Sequence, residues 1–390
     1  MSLVIAKAHK GKIYIVGDTA LTYHNNPGAN PFVSGCLKQY RVNERLAVAF
    51  AGDTAGFRDA CSDIFASTDS SEIIEVARKA QKKGHEFDLL VAEVGNDNIT
   101  FLKAGVVSEG SSGFIGDSEA FGVFQKHSHS VAAGAVPHKD LAHLQHSFAQ
   151  ATEAEAEIYS RMLDSLRQVL LDPNCKTVGG AIVPLCTDKS LFRYRLHMES
   201  ASDLLNLNDF STTPKAIPFG TAEGGGFTME FNDDSPNGGD GNEVGIYFPQ
   251  GKFGIIFPAD AVGFRAAELV KANSAPHWVL STARRLGRGI SSSFISPHAC
   301  GIAGEELISA GDNEGALFCY SLGVNHMQQL PPPQTDRYIA GQSAALANLG
   351  KLDEAMDLLR AAISTNQEAK CCQKVLNQLV APQPASSPDC

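Results

Sequence analysis

Long apolar runs are missing from this 390-residue chain, and none approaches the roughly eighteen residues that a bilayer crossing needs. The first residues also lack the basic-then-apolar order of a secretory leader, so the sequence reads as a cytoplasmic protein with no membrane partner. Basic charge is in deficit: 32 Lys and Arg stand against 43 Asp and Glu, a net charge of −11 that argues against nucleic acid as a partner. The nine cysteines are odd in number and share no repeated short spacing. That excludes a disulfide framework and a zinc ribbon, and it fits a reducing compartment. The glycine clusters at 223–226 and 237–241 are not followed by Lys-Ser or Lys-Thr, so neither is a phosphate-binding loop. Histidines gather at His127, His129, His138, His143 and His146, but no Cys or carboxylate completes a ligand set. They read as solvated helix and loop, and neither a metal nor a cofactor is expected. What the chain does have is 43% hydrophobic residues, ample for a sizeable core in two or three domains.

The most informative stretch is the start. Ser2 lies sixteen residues before Asp18, which closes the apolar run Lys12-Ile-Tyr-Ile-Val-Gly-Asp18. With Met1 removed, Ser2 carries a hydroxyl and a free α-amine on one residue. An α-amine with an ordinary pKa of about 8 can take the hydroxyl proton at neutral pH, so nucleophile and base come together. A serine in this position says little alone, and its neighbours add to it. Residues 3–7 read as a strand, 9–12 as a tight turn and 13–16 as the returning strand, which brings Asp18 back beside the first residues. Lys38 follows twenty residues later, ahead of a strand at 39–42, a turn at 43–45 and a strand running from Leu46 into Gly52-Asp53.

In these residues the sequence resembles the proteasome β-subunit family and its bacterial threonine-peptidase homologue, within the amino-terminal-nucleophile hydrolases. The family places an aspartate sixteen residues after its nucleophile, as here. The resemblance implies that Lys38 lies beside the nucleophile and favours loss of its proton, that Asp18 holds the lysine ammonium, and that the Gly52 N–H binds the oxyanion. An ammonium favours an alkoxide, and a preorganised N–H stabilises developing negative charge. Taken singly, Asp18 also serves as a turn residue or helix cap, Lys38 as a solvated strand-end charge and Gly52 as a bend between strand and helix. Their joint spacing carries the resemblance.

The likeness continues through helices at 54–68 and 70–83, a hairpin from 87–94 and 99–105, and the stretch 114–121, which resembles the family's Ile-Gly-Ser-Gly-Ser. There the resemblance implies Ser118 as the serine lent to the site, with Asp117 as competitor. A helical segment at 139–171 and strands at 177–183 and 191–197 follow. The chain departs from the family where Cys175 and Val178 stand at positions held by an aspartate and a serine, and in using Ser instead of Thr as nucleophile.

Beyond residue 200 the turn-rich sequence reads as further strands at 216–231, 244–248 and 252–257, then a helix at 259–272 and a polar loop at 281–298. Pro331-Pro-Pro333 reads as a linker. Helices at 337–348 and 352–365, with Gly350, Ala355 and Ala362, resemble one tetratricopeptide unit, which cannot bury its own face. The expected organisation is an amino-terminal-nucleophile domain at 2–262 with 200–262 as a β-rich extension, then a helix and irregular connector at 263–330. A linker at 331–336, a helical hairpin at 337–380 and a disordered tail at 381–390 complete it. The fold class expected is α+β, a four-layer αββα sandwich with the β-rich segment and the carboxy-terminal α-hairpin added. The expected function is hydrolysis of amide bonds, peptide bonds first, by Ser2 with Asp18, Lys38, Gly52 and Ser118, in a homo-oligomer. The alternatives are a non-catalytic proteasome-like subunit and a small-molecule amidase or acyl transferase.

Overall fold

A computed structural model describes residues 2–21, 36–130, 153–188, 191–194, 227–231, 243–248, 251–258, 260–263, 267–287, 297–326, 332–366 and 368–381. The chain is a mixed α/β protein with antiparallel sheets, divided into two compact units. One holds the described residues through Lys271 and the other those from Ala272 on.

The first unit opens with the hairpin β1 (Leu3–His9) and β2 (Lys12–Asp18), turning at Lys10 and Gly11 with φ of 51° and 76°. Then come β3 (Gln39–Arg41), β4 (Leu46–Gly52), α1 (Thr54–Ala66) and α2 (Ser70–Lys82). Asp53 caps α1 by accepting from the Ala55 N–H, and Asp69 caps α2 while Glu72 reaches back to the Thr68 N–H. β5 (Phe87–Glu93), β6 (Ile99–Lys103) and β7 (Val106–Gly110) complete a five-stranded sheet in the order β3-β4-β5-β6-β7. The chain then changes sheets. β8 (Ser112–Gly116) pairs with β1, α3 (Ser118–Ser130) and α4 (Glu153–Leu171) follow, and β9 (Ile182–Asp188) and β10 (Leu191–Tyr194) finish a second sheet in the order β10-β9-β2-β1-β8.

The two sheets face one another because their strands are apolar on both faces. Along β1, Val4, Ala6 and Ala8 join the core shared with the first sheet, while Leu3 and Ile5 pack under α3 and α4 with Phe124, Tyr159, Leu163 and Leu166. β4 alternates likewise. Phe50 stacks on Phe57 of α1 at 4.0 Å between centroids, and the intervening alanines keep the opposite face low enough for close sheet-on-sheet approach.

β11 (Phe227–Phe231), β12 (Glu243–Phe248), β13 (Phe253–Pro258) and β14 (Glu268–Lys271) form a third antiparallel sheet in chain order. It shares the core of the other two through Val244, Ile246, Ile255 and Phe257, the last meeting Tyr194 edge-on at 4.8 Å. The helix expected at 259–272 is a correction. β13 offers an unpaired edge, and Glu268–Lys271 fills it as β14.

The second unit is helical: α5 (Ala275–Arg285), α6 (Pro297–Ser309), α7 (Asn313–His326), α8 (Pro332–Asn348), α9 (Leu352–Thr365) and α10 (Lys370–Val380). The segment 263–330, expected as a helix and irregular connector, holds α5, α6 and α7 among the described residues, and both described ends of the loop expected at 281–298 are helical. Ser274 caps α5 and Pro276 sits in its first turn, so the serines read as loop begin after a helix is already committed. Pro332 and Pro333 of the expected linker likewise open α8, where a missing N–H removes no helical bond, and Pro331 lies outside the described residues. The expected pair α8 and α9 gains a third member. Both oxygens of Asp336 accept from the N–H groups of Cys371 and Cys372 at 2.7 and 2.9 Å, and α10 closes a small core of Ala340, Leu359, Ala369 and Cys372. His138, His143, His146 and residues 382–390 lie outside the described residues.

Candidate active site

Val4 pairs with Gly17 across the first hairpin, so Asp18 ends beside Leu3 and Ser2. Its carboxylate is fully buried and fully used. Oδ1 accepts from the Leu3 N–H at 3.0 Å, and Oδ2 accepts from the N–H groups of Ala20 and Gly179, each at 3.2 Å, and from Lys38 Nζ at 2.8 Å. Lys38, 1% exposed, gives a second hydrogen bond to the Ala20 carbonyl at 2.6 Å. A buried charge is tolerated only when paired and hydrogen-bonded, and such a pair adds little net stability over an apolar replacement.

Ser2 itself is buried, and its carbonyl accepts from the Asp117 N–H at 2.8 Å. The turn from β8 into α3 passes so close that a Cβ on Gly116, which has φ +93°, would lie 1.9 Å from the Ser2 oxygen. Only glycine fits there. Asp117 then caps α3 through the N–H groups of Glu119 and Ala120 and takes the Thr177 hydroxyl on its other oxygen. Burial pushes the Asp117 carboxyl up, but those three hydrogen bonds outweigh it and hold the group below the ordinary carboxylate value.

The structure thus pairs Asp18 with Lys38, ties Asp18 to the residue after Ser2 and sets the Asp117 N–H against the Ser2 carbonyl, while Ser118 is exposed on the first turn of α3. Of the two departures noted in the sequence, Val178 is buried in the core beneath α4, and the Cys175 thiol is pushed up by burial and by nearby carboxylates, Asp172 first. Thr177, between them, is the residue the sequence reading passed over. A hydroxyl adjacent to the missing serine position was the available signal.

Gly52 ends β4 with φ +111°, and a Cβ there would stand 2.6 Å from the Glu86 carbonyl oxygen. It lines an open cavity of about 1200 Å³ together with Ser2, Ala20 and Gly116. Asp18 and Lys38 do not line it, but Ala20, which bonds to both, does. The arrangement offers a serine at a cavity wall, a sealed ammonium–carboxylate pair at the adjoining strand end, and a strand-to-helix bend at Gly52 opening the same space. Among the described residues no cluster of three His, Cys, Asp or Glu has the placement to hold a metal ion, and no helix is long and apolar enough to cross a membrane.

No family model matches the sequence, and no curated protein matches it. Among solved structures the chain is similar to eukaryotic HslV from Trypanosoma brucei, at 15% identity and a TM-score of 0.31, over 43% of this chain and 90% of that one. A likeness at that level decides neither fold family nor activity.

Proposed function

We propose that the chain is an amino-terminal-nucleophile hydrolase of the four-layer αββα type that cleaves amide bonds, peptide bonds first, with Ser2 exposed by removal of Met1. The observation that carries this is the buried Lys38–Asp18 pair, anchored through the Leu3 N–H one residue from a serine that lines a cavity. The Ser2 hydroxyl adds to the substrate carbonyl while the Ser2 α-amine takes its proton. The tetrahedral oxyanion is stabilised at the Gly52 bend, and collapse expels the leaving amine with the proton the α-amine held. Water then enters by the same route, giving the carboxylic acid and restoring Ser2. Asp18 and the Ala20 carbonyl orient Lys38, and Gly116 and Asp117 fix the Ser2 backbone.

Two measurements test the reading. Intact mass of untagged protein from its host must show Met1 absent, because a blocked amine leaves no base. Ser2→Ala must then lose nearly all hydrolysis of a panel of peptidyl and small-amide reporters. Equal rates in wild type and Ser2→Ala would assign the chain to the second reading, a non-catalytic subunit of the same fold, which the absence of a carboxylate at Cys175 and a hydroxyl at Val178 favours. Small amides hydrolysed in preference to peptides would select the amidase form.

A further inference from the structure

The cavity that holds Ser2 has four basic side chains along its α1 and α2 side. Arg58 lies in the second turn of α1, Arg78 and Lys82 are four residues apart on α2 and so share a face, and His85 follows in the turn toward β5. All four line the same space as Ser2 and Gly52.

Two of the cations have no direct partner. Among the described residues Arg58 and Lys82 have no ion-pair partner, and Arg78 has only Glu75, in an exposed pair at 3.3 Å. The same lining carries Asp53, Glu86 and Asp88, and a hydrogen bond to another group does not remove a carboxylate's charge, so its carboxylates and permanent cations are equal in number. Asp88 accepts from the N–H groups of Ala104 and Gly116 at 3.3 and 3.1 Å, and Asp53 caps α1 and faces His85 Nδ1 at 3.5 Å. Two guanidinium groups add the planar fork that matches a carboxylate.

We propose that this side of the cavity is a subsite for an anionic substrate side chain, an Asp or Glu near the bond presented to Ser2; the assignment to substrate rests on reading Ser2 as the nucleophile. The shape of the site supports the placement, because α1 begins directly after Gly52 and carries Arg58 along the cavity from the oxyanion position outward.

The test separates binding from chemistry. Equilibrium binding of fluorescent peptides differing only in Glu, Gln or Lys at one position is measured on the full-length Ser2→Ala chain, and hydrolysis of matched reporters on wild type. The expected result is binding of the Glu peptide about tenfold tighter than the Gln peptide, weakening with salt. Arg58→Ala with Lys82→Ala should abolish that preference, and Arg58→Glu should shift it toward the Lys peptide, which a general loss of folding cannot do. Equal binding of Glu and Gln peptides, or a preference that survives the double substitution, overturns the subsite whether or not hydrolysis is seen. A Glu preference in Ser2→Ala alongside a wild type with no hydrolysis leaves the subsite standing and removes the nucleophile assignment alone.

Discussion

Asp18→Asn should be the most damaging single-atom exchange in the first unit. The change swaps one carboxylate oxygen for an NH₂ that faces Lys38 Nζ, or faces the Leu3 N–H if the amide turns over, so at least one donor meets another donor. In either orientation Lys38 loses its counter-charge while remaining buried, keeping the Ala20 carbonyl and at most a neutral amide oxygen. Breaking a buried pair by removing one partner costs about 3–5 kcal/mol, a large part of the roughly 5–15 kcal/mol that holds a domain together. Lys38→Met should cost less. It leaves the carboxylate with three backbone N–H donors, from Leu3, Ala20 and Gly179, whereas Asp18→Asn leaves a buried ammonium with neutral acceptors only. Combining the two should cost clearly less than the sum, with a coupling of about 1–3 kcal/mol, because the stranded ammonium is gone. The probe has to be chosen with care. The single tryptophan, Trp278, lies in α5 of the helical unit, so its emission does not report on this site. Denaturant titration followed by far-UV circular dichroism, with amide exchange at Leu3, Ala20 and Gly179, does. Equal losses for the two single variants, the reverse order, or additive costs would refute the reasoning.

Gly52→Ala should destabilise the first unit by about 1–3 kcal/mol and abolish hydrolysis, since it combines φ +111° with a Cβ 2.6 Å from the Glu86 oxygen; unchanged melting and turnover would count against it. Asp117 has a folded-state pKa below its ordinary value, so the stability it contributes is present above about pH 4 and is lost as pH falls through the folded value. Thr177→Val should raise that pKa and bring the loss on at higher pH, read by carboxyl NMR and acid titration. Thiol labelling with peptide mapping should find Cys371, which is exposed, reacting in the native state, while Cys61 and Cys300, both buried and pushed up to about 12, react only on unfolding. Light scattering after size exclusion should show a homo-oligomer, and a single 41.5 kDa species across a hundredfold dilution would remove that proposal.

The parts of this chain that were legible in its sequence are those where local pattern and tertiary demand agree. The first hairpin, the strand ending at Gly52 and the two helices after it carry strict alternation or three-to-four spacing together with their own turn and cap residues, so each segment states its structure without help from afar. Asp18 and Lys38 were legible for a different reason. The resemblance implied that they pair, while each taken singly also read as a turn residue or a solvated strand-end charge, and the fold sets them 2.8 Å apart. What stayed hidden depends on partners far along the chain. β14 exists because β13 has an open edge, and its sequence alone fits a helix as well. α10 is held by Asp336, thirty-five residues upstream, a cap that no local signature announces. The contact between Asp117 and Thr177 is of the same kind, spanning sixty residues. It holds the side chain of Asp117, the residue whose backbone N–H meets the Ser2 carbonyl and which the resemblance had implied only as the competitor of Ser118. The basic side chains of the cavity belong with these. Arg58 and Lys82 look like solvated helix charges until α1 and α2 are folded against the strand that ends in Gly52, and only then do they share a cavity with a serine.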